Sequence, residues 1–213
     1  MKLRSSADIP NPQTSDITEH LLLHIIRLMT NYWKEDPFST TEVLIISVEL
    51  EQIILDMARW ISGTEGKYNP KLGFLVMGGV GTGKTMLLKA IYHILKASNS
   101  QTGREYKAFV HAKTVARNYR IGDFDNINRL ERLEYVFVDD IGSENPFQVV
   151  YGNKEYPIAE LLYFRHENRL KTFCTTNMDW AGIKAYYDDS DGRIIDRIKT
   201  NSNVIVLDGK SFR

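Results

Sequence analysis

From about residue 72 onward, short apolar runs alternate with stretches in which apolar residues recur every three or four positions. The apolar runs predict strands at residues 72–77, 108–112, 135–138, 172–175 and 204–207. The periodicity between them predicts helices at residues 84–97, 113–120, 126–133, 158–168 and 193–198. Strands separated by helices favour an α/β fold, in which a five-stranded parallel sheet is flanked by helices.

The beginning of the chain lacks this alternation. Residues 1–15 are polar and proline-containing, and we expect them to form a flexible leader. Apolar residues then recur at helical spacing, which predicts a first helix with Asp16 as its N-cap. This helix should end near Trp33, because Asp36-Pro37 cannot continue it.

A second helix is predicted from Thr40 or Thr41 to Ile61, stopped by Gly63. Its apolar residues cover more than one face, so we expect it to pack on two sides. The sequence therefore predicts a helical extension at residues 16–62 and an α/β domain at residues 63–213, with no separate lid after it.

Composition narrows the class of protein. The chain has 213 residues, of which 43% are apolar, and its 27 basic residues balance 27 acidic ones. The apolar fraction is large enough for the chain to bury a hydrophobic core. Because the net charge is zero, any basic surface that binds nucleic acid must be confined to a local patch. The single cysteine, Cys174, excludes a disulfide framework, and we expect it to be buried. Neither a signal peptide nor a run of roughly 18–20 apolar residues occurs, so a soluble, cytoplasmic protein is expected.

Residues 78–85 form a glycine-rich loop whose sequence, Gly-Gly-Val-Gly-Thr-Gly-Lys-Thr, fits the Walker A pattern G-x-x-x-x-G-K-[ST]. Glycines let the backbone approach phosphates, and the loop amides form an anion-binding concavity with the helix N-terminus. Lys84 supplies charge for the β- and γ-phosphates, and Thr85 offers a hydroxyl to Mg²⁺. We expect ATP to be bound by Gly78, Gly79, Val80, Gly81, Thr82, Gly83, Lys84, Thr85 and Met86.

The apolar residues 135–138 are followed by the paired carboxylates Asp139 and Asp140. At the carboxyl edge of a parallel sheet such residues point into the ligand crevice. Asp139 is placed to hold Mg²⁺, which is the Walker B role, and Asp140 to polarise the attacking water as a general base. Many ATPases have Glu at the second position; Asp is one methylene shorter, so slow hydrolysis is expected.

The order of the motifs resembles a known family. The phosphate loop is followed by Val-Asp-Asp-Ile-Gly ending at Gly142, Thr-Thr-Asn ending at Asn177, a helix with paired arginines, and Gly-Lys-Ser-Phe-Arg at residues 209–213. This order resembles the DnaC, DnaI and IstB group of AAA+ ATPases, which are bacterial helicase loaders and transposition helpers. The resemblance covers about residues 41–213. DnaI-like loaders carry a cysteine-bearing zinc domain before the ATPase, and these residues lack its cysteines, so we expect the helicase-docking domain to be missing, replaced or supplied by another chain.

The resemblance implies further roles. Asn177 matches sensor 1, which bonds the γ-phosphate or the attacking water. Arg193 and Arg197 lie four residues apart, hence on one helical face. Arg197 matches the arginine finger, which acts on the nucleotide of a neighbouring subunit. The alternative for these arginines is a salt bridge to Asp189, Asp191 or Asp196. Arg165 is a second candidate for a subunit interface.

Lys113, Arg117 and Arg120 lie where helicase loaders commonly place DNA-contacting helices, and phosphate contacts are expected there. A solvated helix face explains these residues equally well. The resemblance thus predicts an ATPase that forms a homo-oligomer in its ATP state and loads a replicative helicase. The alternatives are a transposition helper with a transposase as partner, a small-molecule P-loop kinase, and a nucleotide-binding adaptor with little turnover.

Overall fold

The computed structural model of the protein describes residues 12–37, 44, 46–98, 106–150, 152–189 and 191–208. Its helices are α1 (Pro12–Glu35), α2 (Val48–Ser62), α3 (Lys84–Ser98), α4 (Ala112–Arg120), α5 (Phe124–Arg132), α6 (Pro157–Glu167), α7 (Trp180–Tyr186) and α8 (Arg193–Asn201). Its strands are β1 (Gly73–Gly78), β2 (Lys107–His111), β3 (Tyr135–Ile141), β4 (Gln148–Val150), β5 (Asn153–Glu155), β6 (Lys171–Thr176) and β7 (Ser202–Leu207).

Five strands form one parallel sheet in the order β2-β3-β6-β1-β7. Helices α1, α2 and α3 cover one face, and α4 to α8 cover the other. On the first face Phe137 and Phe173 stack with ring centroids 4.2 Å apart, and Trp60 and Phe74 pack against Phe173. The predicted α/β class and five-stranded parallel sheet are confirmed. All five strands end at one edge, where the predicted site lies.

Helix α1 packs on α2 and α3 through Ile25, Met29 and Trp33, which recur every four residues and are buried. The predicted N-cap at Asp16 is wrong, because α1 begins at Pro12. Proline suits the first helical position, since its fixed φ is helical and its missing amide would have no partner there. Residues 1–11 of the predicted leader lie outside the described residues.

The predicted start of α2 is also wrong. The helix begins at Val48, because the Ser47 hydroxyl accepts a hydrogen bond from the Leu50 amide at 3.2 Å and caps it. Residues 40–43 lie outside the described part of the chain. Gly63 ends the helix with a φ of 71°, as its sequence position predicts.

The sequence analysis missed two elements, helix α7 and the antiparallel hairpin formed by β4 and β5. Both are short, with seven and three-plus-three residues, so their periodicity is weak. The buried position predicted for Cys174 is confirmed, and its burial raises the pKa of the thiol to about 12. None of the helices in the described segments is long and apolar enough to cross a membrane.

Candidate nucleotide site

The Walker A loop connects β1 to α3 at the carboxyl edge of the sheet. Gly81 and Gly83 have φ values of 83° and 87°, which side-chain-bearing residues rarely adopt. A Cβ atom on Gly78 would lie 2.6 Å from the Leu207 carbonyl oxygen, so β7 also requires glycine there. The Thr82 hydroxyl donates to the Gly79 carbonyl at 3.0 Å. The loop therefore closes tightly around the N-terminus of α3.

Lys84 folds back across this loop. Its Nζ donates to the carbonyl oxygens of Gly78 at 2.9 Å and Gly79 at 2.6 Å. Only 7% of the residue is exposed. A buried ammonium group at the N-terminus of a helix favours an anionic ligand, because it adds positive charge where solvent screens little.

Thr85 and Asp139 were predicted to share a metal ion, and the fold brings them together. The Thr85 hydroxyl lies 3.0 and 3.2 Å from the two Asp139 carboxylate oxygens. Thr175 on the adjacent strand β6 donates to the same carboxylate at 2.7 Å. This oxygen set fits Mg²⁺, which proteins commonly hold with one carboxylate, a hydroxyl and the phosphates of the nucleotide. Thr175 is the first residue of the Thr-Thr-Asn motif, for which the sequence predicted a role only at Asn177.

Asp140 and Asn177 are also neighbours. The Asn177 amide donates to Asp140 Oδ1 at 2.9 Å, and the Asp140 backbone amide donates to Thr175 Oγ1 at 2.7 Å. Asp140 has a φ of 61°, an uncommon left-handed conformation that these bonds hold in place. A carboxylate and a carboxamide thus lie next to each other beside the Thr85–Asp139 pair.

His111 ends β2 and is paired with Asp139 in the sheet register. Its Nδ1 accepts a hydrogen bond from the Lys113 amide at the start of α4, and its Nε2 lies 3.6 Å from Asp140 Oδ2. The sequence signal for this residue was a polar side chain at the end of the strand next to the Walker B strand. His111 joins helix α4 to the site.

A cavity of about 530 Å³ opens at this edge of the sheet. Lys84, Asp139, Asp140 and Asn177 line it. The end of α1 and the residues after it contribute a further wall, made of Tyr32, Trp33, Glu35, Asp36 and Pro37. Sequence reasoning missed this wall, because periodicity identifies a helix but not the element beside which it ends.

The paired arginines lie outside this cavity, in a separate groove along α8. The Arg197 guanidinium carbon lies 4.0 Å from the ring centroid of Tyr163, a cation–π contact. Arg193 forms the predicted alternative, a salt bridge at 2.7 Å to Asp191, and 73% of its side chain is exposed. Within the described part of the chain, Arg197 forms no salt bridge. Arg197 therefore does not line the cavity of its own chain.

The suggestion that Arg165 serves a subunit interface is wrong. Arg165 is fully buried, and its nitrogens donate to Thr172 Oγ1 and to the carbonyl oxygens of Leu130, Leu133, Glu134 and Lys171. Burial lowers the pKa of its guanidinium to about 10. The residue joins α5, α6 and β6 within one chain, and it cannot reach another subunit.

Lys113, Arg117 and Arg120 share one exposed face of α4, as their spacing predicts. They line a groove of about 290 Å³ whose lining also includes Ser143, Asn145 and Gln148, three uncharged polar residues that follow the Walker B strand. The lining also includes the mostly buried Glu144, so the groove combines three positive charges and neutral hydrogen-bonding groups with one carboxylate.

The segment before α8 is buried at two positions, Tyr187 and Asp189. Tyr187 is only 2% exposed and donates a hydrogen bond to Glu144. Asp189 is buried as well, and its two carboxylate oxygens accept from the amides of Ile194 and Ile195, each at 3.0 Å. Asp189 therefore caps α8, so this alternative partner for Arg197 is already engaged.

Comparison with known proteins supports the fold. The chain is similar to the crystal structure of DnaI, with 22% identity, coverage of 89% of this chain and 92% of that chain, and a TM-score of 0.62. It is similar to the DnaC helicase loader, with 17% identity, 83% and 98% coverage, and a TM-score of 0.53.

AMPPCP-bound DnaA from Aquifex aeolicus is a further similar structure, with 15% identity, 81% and 50% coverage, and a TM-score of 0.52. No protein-family model and no curated protein matches the sequence. At these identities the likeness establishes the fold alone: the chain shares with these structures an α/β architecture in which a five-stranded parallel sheet is flanked by helices.

Proposed function

We propose that this protein is an AAA+ ATPase that binds and hydrolyses ATP with Mg²⁺ and acts in DNA replication as a helicase loader. The fold shared with DnaI and the DnaC helicase loader supports the second half of this proposal. The first half depends on the arrangement of side chains at the carboxyl edge of the sheet.

The observation that supports hydrolysis most directly is the contact between Asp140 and Asn177 at 2.9 Å, beside the Thr85–Asp139 pair. Thr85 and Asp139 would hold Mg²⁺, which neutralises phosphate charge when it is bound. Asn177 orients the attacking water, and Asp140 accepts its proton. The water oxygen bonds to the γ-phosphorus as the bond to the β–γ bridging oxygen breaks, which leaves ADP and inorganic phosphate.

The position of Arg197 supports a site that is shared between subunits. Its side chain lies in the α8 groove, away from the nucleotide cavity of its own chain. No arginine is among the described residues that line this cavity, so in our proposal the arginine that stabilises the transition state comes from a neighbour. We accordingly propose that ATP promotes assembly of several copies and that Arg197 completes the adjacent site.

The basic face of α4 supports a contact with DNA. Lys113, Arg117 and Arg120 neutralise phosphates in this proposal, so affinity should fall steeply with salt. Replacing all three by alanine should weaken binding to single-stranded DNA and flatten its salt dependence. An unchanged salt dependence would contradict the contact.

The proposed client is tested by affinity capture with the Asp140→Asn variant in ATP. This variant keeps the phosphate loop and lacks the general base, so it should retain its client in the ATP state. Lys84→Ala is the matched control, because at an ATP concentration close to the Kd of the parent protein its weakened site should be mostly empty. Capture of a hexameric helicase by the first variant and not by the second is expected. Capture of a transposase instead would assign a transposition helper, and capture of neither would contradict both.

Hydrolysis itself is tested by phosphate release from ATP without any added acceptor. Release by the assembled protein is the expected result. Transfer of the γ-phosphate to a small molecule, with no free phosphate in its absence, would instead identify a kinase.

A further inference from the structure

Two left-handed backbone positions lie at the end of strand β3, at Asp140 with a φ of 61° and, two residues later, at Gly142 with a φ of 94°. The Asp140 carbonyl accepts hydrogen bonds from the Ser143 amide at 3.1 Å and the Ser143 hydroxyl at 2.7 Å. Met178 packs on Gly142 so closely that a Cβ there would lie 2.3 Å from the Met178 Cε. These contacts leave the segment little freedom to rearrange.

Glu144 ends this turn and connects it to a distant part of the chain. One carboxylate oxygen accepts from the Gly142 amide at 2.8 Å, and the other accepts from the Tyr187 hydroxyl at 2.5 Å. Glu144 is 4% exposed and Tyr187 2%. Burial, with the nearby Glu144 carboxylate, raises the pKa of Tyr187 far above its ordinary value, so the hydroxyl keeps its proton and donates.

The connection continues from Tyr187 to the arginine helix. Tyr187 is the C-cap of α7, and two residues later Asp189 caps the first turn of α8 with both carboxylate oxygens. Arg193 begins α8, and Arg197 lies one turn further along it. Hydrogen bonds of Glu144, Tyr187 and Asp189, together with the short stretch of chain between the last two, therefore connect the turn at Asp140 to the helix that bears Arg197.

We propose that Glu144 and Tyr187 are positioning residues that couple a subunit's own Asp140 to the Arg197 it presents to its neighbour. The buried hydrogen bonds fix the two ends relative to each other, since breaking one would leave a buried polar group without a water to replace its partner. This inference rests on the proposed function, because it requires Arg197 to act on an adjacent site.

Assemblies that contain two different variants test the Asp140 end and the Arg197 end of this connection separately. Arg197→Ala subunits keep Asp140 but offer no arginine, and Asp140→Asn subunits offer an arginine but cannot hydrolyse. Mixing these two inactive variants should restore phosphate release. Tyr187→Phe, which removes one hydroxyl, is then mixed with each of them. Turnover by Tyr187→Phe alone should fall roughly ten- to a hundredfold, as for a small misplacement of catalytic groups, while its affinity for ATP stays unchanged.

The coupling predicts that Tyr187→Phe restores phosphate release in neither mixture, because both its base and its arginine are displaced. Restoration with Arg197→Ala would show that its arginine is correctly placed, and restoration with Asp140→Asn would show that its base is intact; either result overturns the proposal. The matched control is Tyr186→Phe, which removes the neighbouring hydroxyl and should restore activity in both mixtures.

A second variant, Glu144→Gln, perturbs the same link from its other end and should give the same pattern with a smaller loss. Size-exclusion chromatography and thermal unfolding check that the variants fold and assemble, and failure of either variant to assemble would assign the link a purely structural role.

If Asp140→Asn and Arg197→Ala fail to complement each other, the trans site of the proposed function is itself wrong. If they complement each other and Tyr187→Phe behaves as the wild type, only the coupling is wrong.

Discussion

Ionisable residues lie at strand ends on both edges of the sheet, but the surroundings of these residues differ between the two edges. At the carboxyl edge, Asp139 and Asp140 face a cavity of about 530 Å³. At the amino edge, Lys107 begins β2 and Lys171 begins β6, and each ammonium group lies over aromatic rings. Lys107 Nζ is 4.2 Å from the ring centroid of Tyr106, and Lys171 Nζ is 4.8 Å from that of Trp60.

The difference comes from what fills the space beside the charges. At the carboxyl edge the glycine-rich loop has few side chains and the cavity stays open, so the charged groups there can meet a ligand. At the amino edge, aromatic side chains fill the space beside the lysines, and cation–π contacts stabilise the ammonium groups there. Charge at a strand end therefore indicates a site only where open volume and backbone donors converge with it.

The largest expected effect is that of Asp140→Asn on turnover. The substitution keeps the size of the side chain and removes the proton acceptor, so turnover should fall by about 10²–10⁴-fold while ATP binding is retained. Steady-state phosphate release measures the first quantity and equilibrium nucleotide binding the second. Asp179→Asn, at a carboxylate that caps α7 outside the cavity, is the control and should turn over normally. Normal turnover by Asp140→Asn would show that the carboxyl edge of the sheet does not take part in ATP hydrolysis.

Lys84→Ala should have the next largest effect, on ATP affinity. Charge-assisted hydrogen bonds contribute about 1.5–3 kcal/mol, so the Kd should rise by about ten- to a hundredfold. Titration with a fluorescent ATP analogue measures the change. Lys96→Ala, at an exposed position on the same helix, should leave the Kd unaltered. Equal effects at both lysines would mean that overall charge, rather than the loop, binds the nucleotide.

Tyr32→Ala should have a smaller effect, because Tyr32 belongs to the α1 wall of the cavity. An aromatic contact contributes about 0.5–1.5 kcal/mol, so ATP affinity should fall by roughly tenfold or less. Tyr32→Phe keeps the ring and should preserve affinity. Turnover at saturating ATP should be the same in both variants. An unaltered Kd in Tyr32→Ala would exclude α1 from nucleotide binding.

The smallest effect is expected at the amino edge. Burial lowers the pKa of Lys107 to about 8 from 10.5, so between those values the unfolded chain binds more protons than the folded one. This group therefore makes the folded state more stable as pH rises from about 8 to 10. Lys107→Met should remove that rise and leave ATP binding intact.

Urea unfolding of Lys107→Met and of the wild type at both ends of this pH range measures the difference. Lys184→Met, at an exposed lysine, is the control. If the difference in unfolding free energy between Lys107→Met and the wild type is the same at pH 8 and pH 10, the Lys107 charge is not affected by its burial. A loss of ATP binding in Lys107→Met would show that the amino edge contributes to the site.

The sequence predicted the sheet and the grouping of Thr85, Asp139, Asp140 and Asn177 at its carboxyl edge, because both depend on local patterns. Strand-length apolar runs and a glycine loop need no knowledge of distant contacts, and parallel strands necessarily bring Asp140 and Asn177 to one edge. The wall formed by Tyr32, the link between Glu144 and Tyr187, and the burial of Arg165 depend on how separate elements pack. No spacing rule encodes those contacts, so they required coordinates.

The left-handed backbone at Asp140 has a consequence for the lifetime of the ATP-bound state. Short polar residues such as Asp and Asn tolerate this conformation better than longer ones, because their side chains can bond locally. The turn therefore favours the shorter acid at the position where many ATPases have Glu. Under the proposed function, a shorter base means a slower reaction and a longer-lived ATP-bound assembly. One dihedral angle would then set how long the complex has to deliver its client before it comes apart.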